Sequence, residues 1–570
     1  MASEHDLVIR RGTIVDGTGA EPFEADVALA GGRIVAVGAD LTRGREEIDA
    51  AGMLVTPGFV DIHTHYDGQV IWEDRLTPSS DHGVTTIVTG NCGVGFAPCR
   101  PEDHDELIEL MAGVEDIPEV VMTEGLSWAW ESFPEYLDAV DSRPHDLDIA
   151  AMLPHSALRV YVMGARAVNR EPATPDDIAQ MAALTKEAIE AGAVGFGTSR
   201  ALQQRSSKGE PIPTVRAAED ELRAILGAMA ECGSGVFQLL SDFFQFDDVD
   251  GEFAMLRRIV EQTGRPMSFT LNQKHSMPDG WRRLLELTAE AAADGVPIKA
   301  QVLGRPTGLM LGHDLTVSPF AKSATYAELS TLPLGERVEE MRHTDVRARI
   351  LDELDAEPSS SWDQRYLLED PPNYEPEPSA SFAAQAARAG TTPHAVAYDA
   401  LLEDGGRRLI LQPFQNYAAG SLDACYEMLQ HPSTVLGLGD GGAHCGLVCD
   451  ASYPTTMLAY WTRDRTRGPR LSVPDVVQSL TSSTASTVGL RDRGVVAPGY
   501  RADINVIDYD RLQARLPQVV RDLPAGGRRI VQKANGYVAT VVAGTVTARD
   551  GESTGALPGR LVRGAQPAPR

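Results

Sequence analysis

The sequence is short of several features that would point to particular classes of protein. It has six cysteines in 570 residues, which is too few for a disulfide framework. Basic residues number 51 against 81 acidic residues, and the resulting net charge of −30 repels phosphate backbones. We therefore expect no nucleic-acid partner. The hydrophobic share of 43% and the charged share of 23% are ordinary globular values, which excludes intrinsic disorder.

Long apolar stretches are also missing. No run approaches about 18 uninterrupted apolar residues, so we expect no membrane-spanning helix. The opening residues, MASEHDLVIR, are charged and lack the apolar segment of a signal peptide, so we expect a cytoplasmic protein. Lysine is scarce, since only six of the 51 basic residues are lysines. A lysine near a candidate site is therefore conspicuous.

The two ends of the chain share one sequence pattern. Residues 1–56 alternate apolar and polar residues in short runs broken by Gly-Thr-Gly and Gly-Gly, which is typical of β-hairpins. Residues 490–550 show the same pattern in RADINVIDYD and YVATVVAGTVTARDG. We predict one small β-sandwich domain built from both termini, followed by a mobile C-terminal tail at residues 551–570.

The middle of the chain, residues 57–489, alternates short β-branched runs with long helical patterns. The runs are FVDIHTH, GVTTIVTG, DIAAMLPH, AVGFGTS, GVFQLLSD, PMSFTLN, PIKAQVLG and TVLGLGD. One helical pattern, 174–192, opens with Thr-Pro-Asp-Asp, a good cap with proline in the first turn. Eight runs with crossover helices predict an α/β fold, a (β/α)₈ TIM-like barrel. The long stretch at about 305–432, before the eighth run, is interpreted as an insertion, either a lid over the barrel mouth or surface decoration.

The segment PGFVDIHTHYDGQ, residues 57–69, carries the sharpest chemical signal. His63 and His65 are two residues apart, which in a strand puts both imidazoles on one face. At the carboxyl end of a barrel strand that face is turned to the barrel mouth. Two neutral imidazoles there form half of a metal site. Two solvated histidines on an edge strand are the alternative, and the apolar run before them favours the metal site.

Two further strand ends supply groups that suit a metal site. Cys92 follows the second run in the turn TGNCGVG, either as a thiolate ligand or as a small buried turn residue. Asp440 ends the eighth run in GLGDGG, either as ligand and general base or as the cap of a turn. His444, in the next loop, is either a group beside the site or a simple loop residue. We predict that Cys92 and Asp440 join the two histidines.

The third and sixth runs end in groups that suit substrate binding. His155 follows the third run, in LPHSALR. Lys274 follows the sixth run, in LNQKH, and a cation at the barrel mouth suits a carboxylate substrate. A surface lysine is the alternative. We predict His155, Lys274 and His444 as substrate contacts.

Taken together, these motifs resemble the amidohydrolase superfamily, and within it the D-aminoacylase (N-acyl-D-amino-acid deacylase) branch. PGFVDIHTH resembles the superfamily's first-strand metal motif, TGNCG the branch's second-strand cysteine, and GLGDGG its eighth-strand aspartate. The resemblance covers nearly the whole chain. It implies that His63 and His65 are metal ligands and that Cys92 is a further one. It also implies that Asp440 is the catalytic aspartate and that Lys274 binds the substrate carboxylate.

The same resemblance shows where the chain departs from the branch. The branch has a fifth-strand histidine in a Thr-His-x-Arg setting, whereas this strand reads GVFQLLSD. It has another histidine on the sixth strand just before the lysine, where Asn272 stands here. The fourth run, AVGFGTS, offers no lysine for a carbamylated bridge, and no arginine follows Asp440 in AHCGLVCDASYP. We therefore expect one Zn²⁺ ion, with the second metal site degenerate.

These features predict metal-dependent hydrolysis of an amide, with N-acyl-D-amino acids as the leading small-molecule substrates. Water activated by the ion would attack the carbonyl, and Asp440 would take its proton. Two alternatives stay open: a hydrolase of the same fold that acts on a cyclic amide or carbamate, and a degenerate, non-catalytic barrel that binds a metabolite. Barrels with an added sheet domain often associate, so a homo-oligomer is a further expectation.

Overall fold

The computed structural model describes residues 5–243, 248–355 and 361–569. Within these ranges the strands form a nine-stranded sheet, an eight-stranded sheet, a three-stranded sheet and two ribbons of two strands each. No helix in the described ranges has both the length and the apolar character needed to span a bilayer.

Eight parallel strands form the barrel, and each pairs with its neighbours in chain order. The strands are Phe59–Asp61, Val84–Thr89, Asp148–Pro154, Gly195–Arg200, Val236–Ser241, Met267–Thr270, Ile298–Val302 and Thr434–Leu436. The first and eighth strands are joined at their carboxyl ends, where Thr64 pairs with Gly441. There the Asp440 N–H also donates to the His63 carbonyl over 3.1 Å. The predicted barrel and its eight strands are confirmed.

Helices connect successive barrel strands and cover the outer face of the barrel. Before the insertion they are Gln69–Trp72, His104–Glu115, Glu119–Gly125, Phe133–Asp141, His155–Met163, Ala165–Val168, Pro175–Ala191, Glu219–Glu231, Val249–Thr263 and Gly280–Ala293. Around and after the eighth strand they are Asp423–Gln430, Tyr453–Thr455, the π-helical Thr456–Asp464, Val473–Leu480 and Ser482–Thr487. The predicted cap is present, since Thr174 Oγ1 accepts from the Asp177 N–H and the Asp177 carboxylate accepts from the Thr174 N–H. It satisfies N–H groups that a helix start leaves open.

The nine-stranded sheet is built from both ends of the chain. Its strands are His5–Ile14, Phe23–Ala30, Arg33–Gly38, Gly44–Asp49, Leu54–Pro57, Ile504–Ile507, Tyr537–Val542, Thr545–Arg549 and Glu552–Ser553. The two ends meet where Leu54–Pro57 pairs antiparallel with Ile504–Ile507. The sheet has its own apolar core, which includes Ile9, Val27, Val55, Ile504 and Val541. The two termini thus build one additional sheet domain beside the barrel, as predicted.

The last residues of the chain pack against the barrel. Gly559 pairs with His145, and Leu561 pairs with Ile149 on the third barrel strand. Further on, the Gln566 N–H donates to the Gly489 carbonyl. The expectation of a mobile tail is wrong, because backbone hydrogen bonds tie this segment to the barrel.

The insertion between the seventh and eighth barrel strands folds around a core of its own. Its three-stranded sheet consists of Thr307–Leu311, Tyr366–Leu367 and Ile410–Gln415. Its helices are Ala324–Leu329, Leu334–Met341, Thr344–Asp355, Phe382–Ala389 and Pro393–Leu401. The core includes Phe320, Met341, Ile350, Trp362 and Tyr398. Two short ribbons, Gln513–Ala514 with Ala534–Asn535 and Gln518–Leu523 with Gly527–Val531, lie outside both the barrel and the insertion sheet.

Candidate active site

The first barrel strand ends in the two predicted histidines. Both side chains are 1% exposed, and their ring centres are 5.5 Å apart. The His65 N–H donates to the Gly441 carbonyl over 2.7 Å, so the tips of the first and eighth strands are tied together. Beneath them, Asp61 accepts the His63 N–H over 3.2 Å, and burial raises the pKa of Asp61 to about 8. The histidine pair is thus held by a backbone contact to the segment after the eighth strand and by the Asp61 side chain of its own strand.

Cys92 is placed by a sharp turn after the second strand. Gly90 has a φ of 80°, and a Cβ there would lie 2.1 Å from the Met152 carbonyl oxygen, so only glycine fits. Cys92 itself has a φ of 53°, and its N–H donates to Gln238 Oε1 over 2.8 Å. Its Sγ then lies 3.3 Å from His63 Nε2. The Gly-rich turn therefore brings the thiol to the histidine pair.

A chain of hydrogen bonds defines the tautomer of His63. Gln301 Nε2 donates to Ser268 Oγ over 2.9 Å, which leaves Gln301 Oε1 to accept. His63 Nδ1 lies 2.6 Å from that oxygen and therefore carries the ring proton. The lone pair of His63 is on Nε2, which faces Cys92. This is the arrangement in which an imidazole ligates a metal through Nε2 while its other nitrogen is held by an oxygen.

Asp440 faces both imidazoles from the eighth strand. Its Oδ1 lies 3.4 Å from His63 Nε2 and 3.8 Å from His65 Nε2. Asp440 has a φ of 48°, and a Cβ at Gly442 would lie 2.8 Å from the His65 carbonyl carbon, so the Asp-Gly-Gly turn packs tightly on the first strand. The Asp440 side chain is 20% exposed, whereas both histidines are buried. It is therefore the carboxylate of the cluster that meets solvent.

Glu115 joins the cluster although no sequence motif pointed to it. It ends the helix His104–Glu115, which connects the second and third barrel strands. Its Oε1 lies 3.6 Å from His65 Nδ1, and its Oε2 lies 3.5 Å from His444 Nε2. We call Glu115 and the four predicted groups His63, His65, Cys92 and Asp440 the ligand side of the barrel mouth.

Burial governs the protonation of the ligand side. It lowers the pKa of His65 well below its usual value, and the His63 and His444 rings add to the effect, so the imidazole is neutral at pH 7. Burial also raises the pKa of the Cys92 thiol and of the Glu115 carboxyl, with neighbouring carboxylates adding to both shifts. A divalent cation would reverse the shift of a ligating thiol, because it stabilises the thiolate.

The donor set fits one metal ion. The ligand atoms of His63, His65 and Cys92 all lie within 4.8 Å of one another, with Asp440 Oδ1 beside them. Among the described residues, no other group of three or more His, Cys, Asp or Glu side chains comes this close. Two imidazoles, a thiol and a carboxylate are ligands that Zn²⁺ takes in proteins.

The fifth and sixth strands present a different surface. Leu240, Thr270 and Asn272 line the cavity there, and we call these three residues the neutral side. Asn272 Oδ1 accepts from Asn416 Nδ2 over 3.0 Å, which ties it to the insertion. None of the three can hold a metal ion as an imidazole or thiolate does. These three side chains of the described structure supply no imidazole or thiolate to a second ion.

A cavity of 320 Å³ opens above both sides. Thr307, Phe414 and Gln415 of the insertion line it, so the insertion forms part of the cavity wall. The loop after the fourth strand contributes Gln203, Gln204, Arg205 and Ser206. A volume of this size is in the range of small-molecule sites.

The predicted substrate contacts occupy different places. His444 lines the cavity and is 28% exposed. Lys274 Nζ donates to the buried Asp242 over 2.7 Å, and Lys274 is not part of the cavity lining. Arg205, in the loop after the fourth strand, supplies the guanidinium of the lining, and its side chain is bonded to the Gly209 carbonyl. Arg205 lies in the loop that follows the fourth barrel strand, and this position is the signal by which the sequence could have indicated it.

The structure does not bring His155 into the cavity. Its Nδ1 lies 2.7 Å from Thr198 Oγ1, and its Nε2 lies 2.7 Å from Glu221 Oε1. Glu221 also pairs with Arg159 over 2.7 Å, and all of these groups are buried. His155 opens a helix that packs against the fourth strand, and both of its nitrogens are engaged. His155 is therefore not part of the lining of this cavity.

Comparison with known proteins shows where the chain belongs. Residues 46–548 match the model of the amidohydrolase family. The chain is 27% identical over 598 aligned residues to an uncharacterized protein of Mycobacterium tuberculosis (strain ATCC 25618 / H37Rv), and the match covers 97% of this chain and 93% of that relative. It is 36% identical over 195 residues to a D-aminoacylase of Alcaligenes xylosoxydans xylosoxydans, a match that covers 34% of this chain and 37% of that enzyme.

Solved structures share the fold along the whole chain. The crystal structure of a D-aminoacylase superposes with a TM-score of 0.64 at 24% identity, covering 98% of this chain and 100% of that one. N-acyl-D-glutamate deacylase from Bordetella bronchiseptica, solved with zinc and a phosphonate inhibitor, superposes with a TM-score of 0.64 at 23% identity, covering 98% and 99%. Since the family model spans most of the chain and the fold is shared throughout, the protein belongs to the amidohydrolase family and is related to the D-aminoacylases.

Proposed function

We propose that this protein is a Zn²⁺-dependent amide hydrolase that removes the acyl group from N-acyl-D-amino acids. The observation that carries the proposal is the convergence of two imidazoles, a thiol and a carboxylate at the floor of one cavity. All four groups come from the carboxyl ends of barrel strands, where catalytic groups of such barrels lie. The N-acyl-D-amino-acid class rests on the relationship to D-aminoacylases and on the motifs shared with them.

The ion would be held by His63, His65 and Cys92, with Asp440 beside it. When bound, a divalent ion lowers the pKa of a water towards about 7 and polarises a substrate carbonyl. Asp440 is the group that can move a proton, because its oxygen faces both Nε2 atoms and its side chain reaches the cavity. It would take a proton from the attacking water and give one to the departing amine.

Two cavity residues would orient the substrate. His444 lies at the rim, where a ring N–H can donate to the oxygen that gains negative charge during attack. Arg205 supplies a guanidinium that suits a substrate carboxylate. Lys274 is paired with Asp242, so its role would be to hold the protein around Asp242 in place. The insertion would limit the length of the acyl chain, because Thr307 and Phe414 line the cavity.

A second candidate is hydrolysis of a cyclic amide or a carbamate by the same groups. It is favoured by the neutral side, where the fifth strand carries no histidine and Asn272 stands where the sixth-strand histidine of the D-aminoacylase branch is expected. It uses the same ion and the same proton carrier, so metal content does not separate the two candidates. A substrate panel does.

The test is release of free amine from paired N-acetyl-D- and N-acetyl-L-amino acids by metal-replete protein. We expect release from the D series and none from the L series. A cyclic amide and an N-carbamoyl amino acid complete the panel, and metal-stripped protein is the control. Turnover of only the cyclic amide or the carbamoyl compound would establish the second candidate. No turnover of any compound by protein that holds one ion would contradict the hydrolase proposal.

A further inference from the structure

Glu115 is a buried carboxyl group that lies between His65, at the end of the first strand, and His444, in the loop after the eighth strand. It is 1% exposed, and neither an arginine nor a lysine pairs with it among the described residues. One oxygen faces His65 Nδ1 at 3.6 Å, and the other faces His444 Nε2 at 3.5 Å. Both contacts are slightly longer than a hydrogen bond. A carboxyl group buried without a cation is costly unless its oxygens are engaged.

The backbone around Glu115 is fixed to the loop that carries His444. The His444 N–H donates to the Glu115 carbonyl. The next residue, Asp116, ends the helix with a φ of 52° and accepts the Gly446 N–H over 3.0 Å. The end of the helix and the loop after the eighth strand are therefore held together, with the Glu115 side chain directed to the first strand.

The outer ring nitrogens of the two metal-ligand candidates both face an oxygen. His63 Nδ1 lies 2.6 Å from Gln301 Oε1, within hydrogen-bond distance, and His65 Nδ1 lies 3.6 Å from Glu115 Oε1, just beyond it. Both rings then present Nε2 to the same atom, Asp440 Oδ1. An oxygen that holds the outer ring nitrogen fixes both the tautomer and the orientation of a metal-binding histidine. A carboxyl group in either protonation state keeps an oxygen that can accept this proton.

We propose that Glu115 is a positioning residue of the metal centre. It holds the Nδ1 proton of His65, so that Nε2 is the ligand, and it sets His444 at the cavity rim with its other oxygen. One side chain, at the end of the helix His104–Glu115, thereby fixes both a ligand after the first strand and a cavity residue after the eighth strand. This inference rests on the metal site of the proposed function. It does not depend on which amide is the substrate.

The test measures metal binding, with no substrate present. Glu115→Gln keeps the shape of the side chain but replaces one oxygen with a donor. We expect the apparent Kd for Zn²⁺, measured by competition with a chromophoric chelator, to rise about 10–100-fold while saturating zinc still gives one ion per chain. Glu106→Gln, the same change earlier on the same helix, is the matched control and should leave the Kd unchanged.

A spectroscopic readout separates positioning from a general structural effect. With Co²⁺ in place of Zn²⁺, the visible absorption bands should shift in Glu115→Gln at full occupancy, because the bands follow ligand geometry. Unchanged Kd and unchanged bands in Glu115→Gln would overturn the proposal. Should that variant fail to fold, Glu115→Asp, which keeps the carboxylate but shortens its reach, carries the same expectation and the same contrary result. Failure of the wild-type protein to bind an ion would instead overturn the metal site itself.

Discussion

The ligand side and the neutral side of the barrel mouth are built on equivalent strand ends, yet they carry opposite chemistry. The ligand side converges on Asp440 with imidazoles, a thiol and a buried carboxyl group. The neutral side offers Leu240, Thr270 and Asn272 to the same cavity. The fold therefore supplies positions, and the side chains decide how many of them hold an ion. The proposal of one catalytic ion rests on this one set of ligands.

The largest expected effect comes from the proton carrier of the ligand side. Asp440→Asn keeps the size of the side chain but removes the base, so kcat should fall about 10²–10⁴-fold, the range for losing a general acid–base group. The measurement is kcat on the best substrate of the panel, with the metal content of each preparation determined alongside. Asp404→Asn, at an exposed position of the insertion, should leave kcat unchanged. Full turnover by Asp440→Asn would mean that another group carries the proton.

The second-largest expected effect is the loss of thermal stability when the metal is removed, which should differ between variants of the two sides. An ion present at 100-fold above its Kd stabilises the folded state by about 2.7 kcal/mol, so chelation should lower the melting temperature of the wild type. Asn272→Ala, on the neutral side, should show the same loss on chelation. Cys92→Ser should show a much smaller one, because a hydroxyl is a poor replacement for a thiolate ligand of Zn²⁺. Equal responses of the two variants would remove the distinction between the sides.

The barrel could be predicted because its signal is local. Each of the eight runs is short, apolar and rich in β-branched residues, and each became a barrel strand. His63, His65, Cys92 and Asp440 follow such runs directly, so the meeting of strand ends brings them together. The sequence indicated these groups because a closed parallel sheet brings the carboxyl ends of all its strands to one face of the barrel.

Glu115 and the Lys274–Asp242 pair depend on tertiary packing. Glu115 is the last residue of its helix. The periodicity of that helix predicts which face is apolar, but it does not predict which part of the barrel the last residue contacts. Lys274 and Asp242 follow neighbouring strands, the sixth and the fifth, so their meeting could have been anticipated from the runs LNQKH and GVFQLLSD. His155 also follows a strand directly, but its two ring nitrogens face Thr198 of the fourth strand and Glu221, a placement that depends on tertiary packing as well.

A smaller effect separates the two cations near the cavity. Arg205→Gln should raise KM for a carboxylate substrate about tenfold, since a hydrogen bond to a charged group contributes about 1.5–3 kcal/mol before exposure is discounted. Lys274→Met should leave KM nearly unchanged and lower the melting temperature, because it leaves the buried Asp242 carboxylate without its cation. An uncharged N-acyl amine is the control substrate, and its KM should not respond to Arg205→Gln. A raised KM in Lys274→Met with an unchanged KM in Arg205→Gln would instead indicate that Lys274 contacts the substrate carboxylate.

The smallest expected change is a factor of two in metal content, and it bears most directly on why the two sides differ. Leu240 and Asn272 line the cavity from neighbouring strands, so the double substitution Leu240→His with Asn272→His would give the neutral side two imidazoles. We expect zinc per chain to rise from one to two in the double variant and to stay at one in each single variant, because a lone imidazole makes a weak site. Loss of the Asn416 contact at position 272 should cost about 1 kcal/mol. If the double variant still holds one ion, the barrel itself, through the spacing of these strand ends, limits the site to a single metal.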